Sequence, residues 1–249
     1  MILKNETIVI FGATSAVAQE LARIHAKAGD SILLIARNDS HLKSVADDLL
    51  ARGSPQVESI TCDLDDIQNH TDLLNDINEM FSDISKYYFF YGVLPDQEAC
   101  QNSFDMTNNA ITTNFLSVIS LLTLIANKIE KETNRGIIAV SSVAGDRGRQ
   151  SNYIYGTAKG ALTIFLQGLR NRLYKANCTV TTIKPGFIDT PMTRDFKKGA
   201  LWATPEKVAR DTYIAAQKGK DEIYSPGFWM LIMFIIKNIP EIIFKRLSL

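Results

Sequence analysis

This 249-residue chain predicts a single-domain, doubly wound α/β fold built on one parallel sheet, and three observations carry that expectation. Short apolar runs alternate with segments of helical period from Thr7 to Ile183, which is the pattern of successive βαβ units. The apolar runs are largely continuous, as in strands covered by helices on both faces. The length suits one large domain with a substantial core, and no repeat, low-complexity stretch or linker interrupts it.

Taken in order, Thr7 to Phe11 is the first strand, ending at Gly12, and Ser15 to Ala28 reads as a helix closed by Gly29. Ser31 to Ala36 is the second strand, followed by an amphipathic helix from about Ser40 to Ala51. Val57 to Thr61 is the third, with a helix over about Asp66 to Phe81. Tyr87 to Tyr91 is the fourth strand and Met106 to Lys131 a long helix. Ile137 to Ser141 is the fifth, Asn152 to Lys175 another helix, and Cys178 to Ile183 the sixth strand. Residues 1–225 are expected to form the nucleotide-binding type of domain and residues 226–249 an apolar tail. Folds of this class bind ligands at the carboxyl ends of their strands.

Formal net charge is zero and the pI is near 6.8, so the basic excess that nucleic-acid phosphates require is missing. Three scattered cysteines, Cys62, Cys100 and Cys178, argue for a reducing compartment and against a disulfide framework. His25, His41 and His70 lack metal-ligand spacing, so no metal is expected. The first strand begins almost at Met1, leaving no room for a signal peptide, and the cytoplasm is the expected location.

Tyr155 and Lys159 stand four residues apart, on one face of a helix, and Ser142 lies at the exit of the fifth strand. A phenol beside an ammonium can donate a proton to a carbonyl, because the cation favours phenolate and draws the tyrosine pKa down. A serine hydroxyl there can hold the substrate oxygen. The first strand-to-helix turn carries Gly12 with Thr14, Ser15, Ala16 and Val17, where backbone N–H groups and a helix N-terminus could approach a pyrophosphate. A plain tight turn is the alternative. Ala16 and Ala18 stand where such turns usually carry glycine, which is tolerable if the backbone there is already helical.

From about Thr7 to Tyr224 the chain resembles the short-chain dehydrogenase/reductase family. The resemblance rests on Gly12-x-x-x-Ala16-x-Ala18, Asp63, Asn114, Ser142, Tyr155-x-x-x-Lys159, and Pro185-Gly186 with Thr190, in that order and spacing. It implies a Rossmann fold, an NAD(P)-dependent oxidoreductase acting on a small ketone or alcohol, and a homodimer or homotetramer. It implies Ser142, Tyr155, Lys159 and Asn114 as a catalytic tetrad, with Lys159 also bonding the nicotinamide ribose and the Asn114 backbone holding a relay water. Cofactor contacts are implied for Asp63 and Leu64, for Gly92, and for Pro185, Gly186, Ile188 and Thr190 beside the nicotinamide. Asp63 could equally cap a helix, and the stretch from Gly186 to Thr190 could be a structural turn. Two stretches depart from the family pattern. Phe11 replaces the usual threonine before the first glycine, and Phe89-Phe90-Tyr91-Gly92 replaces Asn-Asn-Ala-Gly.

Cofactor choice turns on the end of the second strand, Ile35-Ala36-Arg37-Asn38. With no acid there for a ribose 2′-hydroxyl, and an arginine suited to a 2′-phosphate, NADP(H) is predicted over NAD(H). Between serine and tyrosine, Gly145-Asp146-Arg147-Gly148-Arg149 offers Arg147 and Arg149 as an anion clamp; a solvated loop with Asp146 paired to an arginine is the alternative. The tail runs Phe-Trp-Met-Leu-Ile-Met-Phe-Ile-Ile from Phe228 to Ile236. Nine helical residues span about 14 Å, short of a bilayer core of about 30 Å, so the tail is read either as an in-plane membrane contact or as a subunit interface. The Gly-Ala-Thr-Ser-Ala turn, Gly92-Val93-Leu94-Pro95-Asp96-Gln97 and the tail are similar to the reductases that act on polyprenylphosphoryl 2-keto-ribose. That likeness implies a lipid-linked keto sugar. An acyl or steroid-like ketone, or a non-catalytic nucleotide-binding scaffold, are the other readings.

Overall fold

The computed structural model describes residues 5–247. Among them, seven parallel strands form one sheet in the order β3-β2-β1-β4-β5-β6-β7. These are β1 (Thr7–Phe11), β2 (Ser31–Ala36), β3 (Val57–Thr61), β4 (Lys86–Phe89), β5 (Gly136–Val140), β6 (Thr179–Pro185) and β7 (Glu222–Ser225). Side chains alternate across the sheet. Val9, Phe11, Leu33 and Ile35 therefore join one apolar layer, and Ile8, Ile10, Ile32 and Leu34 the other. Strand order reverses between β1 and β4, which opens a crevice at their carboxyl ends. This is the doubly wound Rossmann architecture expected from the sequence.

Helices α1 (Ala16–Ala28), α2 (Asp39–Ala51) and α3 (His70–Met80) follow the first three strands. Ser15 caps α1 by accepting from the Ala18 N–H, and Gly29 ends it in the left-handed region at φ 81°. The predicted helix from Met106 to Lys131 is instead α5 (Phe104–Ile111), a π-helical turn at Thr112–Leu116 and α6 (Ser117–Glu132), preceded by α4 (Gln97–Asn102). Periodicity alone cannot register the π turn, because it shifts the phase by one residue without ending the helix. By length and composition residues 104–132 could cross a membrane. Here, however, α6 packs on the sheet through Leu121, Leu122, Ile125 and Ile129.

After α7 (Tyr153–Leu173) come two elements that the sequence reading did not assign, α8 (Pro205–Gln217) and β7. For α8 a signal was present: Thr204 as N-cap, Pro205 at the first helical position and Glu206 behind it. Helix α9 (Trp229–Asn238) and the short α10 (Glu241–Phe244) complete the described chain. Trp229 and Met233 of α9 are buried against Val143, so this segment packs directly on the loop that follows β5.

The two departures from the family pattern explain each other. Phe11 and Phe89 are register partners on β1 and β4, and their rings stack at 4.6 Å. An aromatic pair thus fills the space between neighbouring strand ends, and stacking of this kind is worth roughly 0.5–1.5 kcal/mol beyond burial. At the opposite end of the sheet Glu6, His25 and Asp30 come within ligand distance of one another. Their atoms are already engaged: His25 with Asp30 at 2.7 Å and Tyr88 at 3.0 Å, and Glu6 with Lys86.

Candidate active site

The turn after β1 and the turn after β4 touch. Gly12 has φ 79°, and a Cβ there would lie 2.7 Å from Tyr91. Gly92 has φ 156°, and its Cβ would fall 2.6 Å from the Asn114 side-chain oxygen. Both are positions where an L side chain meets strain and collision together. Ala16 and Ala18 both lie in the first turn of α1, in right-handed helix, which is why alanine is accepted there. Glycine is retained at the two points where the backbone needs it.

Asn114 sits in the π turn, fully buried, with its side chain closing on Val93 N–H (3.0 Å), Val93 C=O (2.9 Å) and Ala110 C=O (2.9 Å). Such turns widen a helix and recur at functional sites. Ser142 follows β5 and accepts from the Ala144 N–H at 3.1 Å. Tyr155 and Lys159 occupy one face of α7, and the Ser142 hydroxyl lies near enough to the Tyr155 phenol to draw its pKa down. The Lys159 ammonium donates to the Val140 carbonyl at 3.0 Å and lies 5.9 Å from the centre of the Tyr155 ring. Ser142, Tyr155, Lys159, Asn114 and Gly92 therefore converge on one end of the crevice.

The electrostatics differ from the sequence expectation. Burial pushes the Tyr155 phenol up to about 12, against the smaller opposing pull of the Ser142 hydroxyl. Burial likewise pulls the Lys159 ammonium down to about 8. The cation is turned toward a backbone carbonyl, and loss of water outweighs its attraction for phenolate. A measurable consequence follows for stability without cofactor. The folded-state pKa of Lys159 lies below its unfolded value, so between about pH 8 and pH 10.5 the unfolded chain binds more protons. Through that window the wild type is expected to gain stability with rising pH relative to Lys159→Met. Below it, the buried charge costs stability. Denaturant unfolding of both proteins across pH 7–10 checks this, and a difference independent of pH would refute it.

The candidate cofactor residues lie along the same strand ends. Thr14, Ser15, Ala16 and Val17 bring the N-terminus of α1 to the crevice. Arg37, just past β2, is exposed and has no hydrogen-bond or ionic partner among the described residues. Asp39, two residues on in the chain, accepts from Thr61 at 2.9 Å. The Asp63 carboxylate accepts from the Asp65 N–H at 3.1 Å, an Asx turn, and the Leu64 carbonyl is held by His70 and Ser117. Pro185 pairs with Ser225, and Ile188 bridges Ala203. The Thr190 N–H is bound by Thr193 in a capping box. At Gly186 a Cβ would overlap the Trp229 indole, so α9 lies flush against this turn. Two glycine-only approaches at the crevice and the N-terminus of α1 beside them fit a dinucleotide.

Arg147 corrects the sequence reading. Its guanidinium donates to the carbonyls of Ile236 (2.6 Å) and Ile239 (2.6 Å), pairs with Glu241 at 2.9 Å and stacks 3.7 Å from the centre of the Phe244 ring. It is committed to the tail and has no face left for an anion. The alternative pairing of Asp146 with an arginine is also not what forms. Asp146 instead binds Lys184 at 2.8 Å and accepts from the Tyr224 hydroxyl at 2.6 Å, with Glu222 on the far side of the lysine at 3.0 Å. Arg149 keeps donors free: one Nη lies 3.3 Å from the Met233 sulfur, and its buried Nε has no partner. Two more buried polar atoms beside the start of α7 lack partners, Gln97 Nε2 and Asn152 Oδ1. In the sequence Gln97 belongs only to the stretch Gly92-Val93-Leu94-Pro95-Asp96-Gln97, and Asn152 stands only at a helix start. No spacing marks either as a site residue.

Comparison with known proteins places this geometry. The family model for short chain dehydrogenase matches residues 6–200. An uncharacterised oxidoreductase of Mycobacterium tuberculosis is 31% identical over 240 residues, covering 96% of each chain. An uncharacterised oxidoreductase of Streptomyces coelicolor is 26% identical over 242 residues, covering 97% of this chain and 95% of that one. Among solved structures, an actinorhodin polyketide ketoreductase variant with NADPH superposes with a TM-score of 0.78 at 19% identity, covering 90% of this chain and 96% of that one.

Proposed function

The chain belongs to the short-chain dehydrogenase/reductase family and is an oxidoreductase, and on that premise we propose that it reduces a ketone with NADPH, the ketone being a hydroxylated sugar carried on a lipid phosphate. The observation that carries the reaction is the meeting of Ser142, Tyr155 and Lys159 at the end of the β1/β4 crevice. NADPH, when bound, would supply hydride to the carbonyl carbon. Ser142 would orient the carbonyl oxygen and Tyr155 would protonate it. Lys159, already poised near neutrality by burial, would pass a proton toward the tyrosine, with the π turn at Asn114 as its outlet.

Three features support the substrate class. Gln97 Nε2 and Asn152 Oδ1, a donor and an acceptor buried without partners, suit hydroxyl groups that can accept and donate. Arg149 suits a phosphate. In the loop after β6, Phe187, Met192, Phe196 and Leu201 are exposed apolar residues, which suits a lipid chain. A substrate of this kind would be met at the cytoplasmic face of a membrane. Assembly as a homodimer or homotetramer remains part of the proposal, with Phe104 and Ile164 as exposed apolar residues available for it. A reductase of an acyl or steroid-like ketone is the second reading, favoured by the same apolar loop. NADPH oxidation with keto-sugar phosphates, acyl ketones and steroid ketones separates the two, and a faster rate with either of the latter classes removes the sugar.

Arg37 carries the cofactor preference. The kcat/KM for NADPH is expected to exceed that for NADH, and Arg37→Ala to lower the NADPH value by about tenfold or more while leaving NADH unchanged, since a charge-assisted hydrogen bond is worth about 1.5–3 kcal/mol. Equal values for the two cofactors in the wild type would sink this assignment.

A further inference from the structure

Helix α9 is apolar on every side, yet only one stripe of it is covered. Trp229, Ile232, Met233 and Ile236, at helical spacing, face the protein, with Trp229 and Met233 fully packed. On the opposite face Met230, Leu231, Phe234 and Ile235 are 56–66% exposed. Ile242 and Ile243 of α10 extend this face at 64% and 52%. A helix apolar all round belongs in a core or in lipid, and this one has a core on one side only.

Charge selects the occupant. Lys237, Lys245 and Arg246 are exposed, and none forms an ion pair among the described residues. From Pro226 to Leu247 the sole acid is Glu241, and Arg147 neutralises it. The same guanidinium binds the carbonyls at the end of α9 and stacks on Phe244, so it also fixes the elbow between α9 and α10. An apolar strip with unpaired cations and a silenced acid matches an anionic bilayer surface, aliphatic side chains in the acyl boundary and cations at the headgroups.

We infer that the outer face of α9 and α10 docks in the plane of an anionic lipid surface, clasped in that orientation by Arg147. The clasp starts from the loop that follows Ser142, and the docked helix lies against Gly186 and, through Trp229, against Phe187 at 5.6 Å. Docking therefore sets the apolar rim of the crevice beside the lipid. What docking achieves rests on the lipid-linked reading of the substrate; docking itself rests on the tail.

The test is sedimentation of the full chain with vesicles. The wild type is expected to pellet with phosphatidylcholine vesicles containing phosphatidylglycerol. With phosphatidylcholine alone, partitioning should fall roughly a hundredfold, at about fivefold for each of three cations. The Leu231→Glu/Ile235→Glu double variant should stay in the supernatant while reducing a water-soluble ketone as fast as the wild type. Both side chains point away from the protein, so this variant is expected to fold. The inference is overturned if the wild type does not pellet, if the variant pellets equally, or if the variant merely turns a dimer into a monomer while vesicles capture neither. Pelleting without reduction of any ketone would leave docking standing and remove the reductase reading.

Discussion

Tyr155→Phe is expected to lose turnover by about 10²–10⁴-fold while keeping its fold and its affinity for NADPH. The phenyl ring fills the same half-buried slot on α7, so only the hydroxyl and its contact with Ser142 are removed. That hydroxyl is the group placed to give a proton to a reduced carbonyl. Burial holds it protonated to about pH 12, so it carries a proton to give throughout the neutral range. Steady-state kinetics with NADPH measure the loss, and fluorescence titration measures cofactor binding. Near-normal turnover would place the proton donor elsewhere.

Lys184→Met should be the most damaging single change to stability away from the reacting groups. Lys184 is 3% exposed and held between Asp146 at 2.8 Å and Glu222 at 3.0 Å. Removing it leaves the Asp146 carboxylate buried with one remaining partner, the Tyr224 hydroxyl. Breaking a buried pair from one side costs about 3–5 kcal/mol, because the uncompensated charge stays behind. For a chain of this size that lowers Tm by roughly 10 °C, at about 2–4 °C per kcal/mol. Asp146 lies four residues after Ser142, so kcat should fall as well. The double variant Asp146→Asn/Lys184→Met removes both charges and should recover part of the loss. Thermal unfolding of the three proteins decides the matter, and a single variant that melts with the wild type would show the pair to be energetically idle.

The parts of the molecule legible in the sequence are those whose causes are local. Continuous apolar runs locate β1 and β2 to the residue, the β-branched Val57, Ile60 and Thr61 locate β3, and Ser15 and Gly29 bracket α1. Ser142, Tyr155 and Lys159 could be named because a strand exit and an i, i+4 pair are short-range facts. What escaped depends on distant partners. Arg147 reads as a free cation until α9 arrives about ninety residues later and absorbs it. Phe11 and Phe89 read as separate irregularities until the strand order makes them neighbours. The direction of the Tyr155 shift depends on how much water the fold removes, which no spacing encodes. The uniformly apolar tail hid its two faces, since only packing distinguishes Met233 from Phe234.

The most direct test of the account is hydride transfer itself. NADPH deuterated at C4 on its transferable face would be turned over with the fastest ketone from the substrate screen, and the product alcohol examined by mass spectrometry and NMR. The account predicts one deuterium on the former carbonyl carbon, with the hydroxyl proton drawn from solvent, and no such product from Tyr155→Phe beyond the residual rate. Cofactor that remains unoxidised with every ketone offered, or a product whose carbinol carbon carries no label, would contradict it.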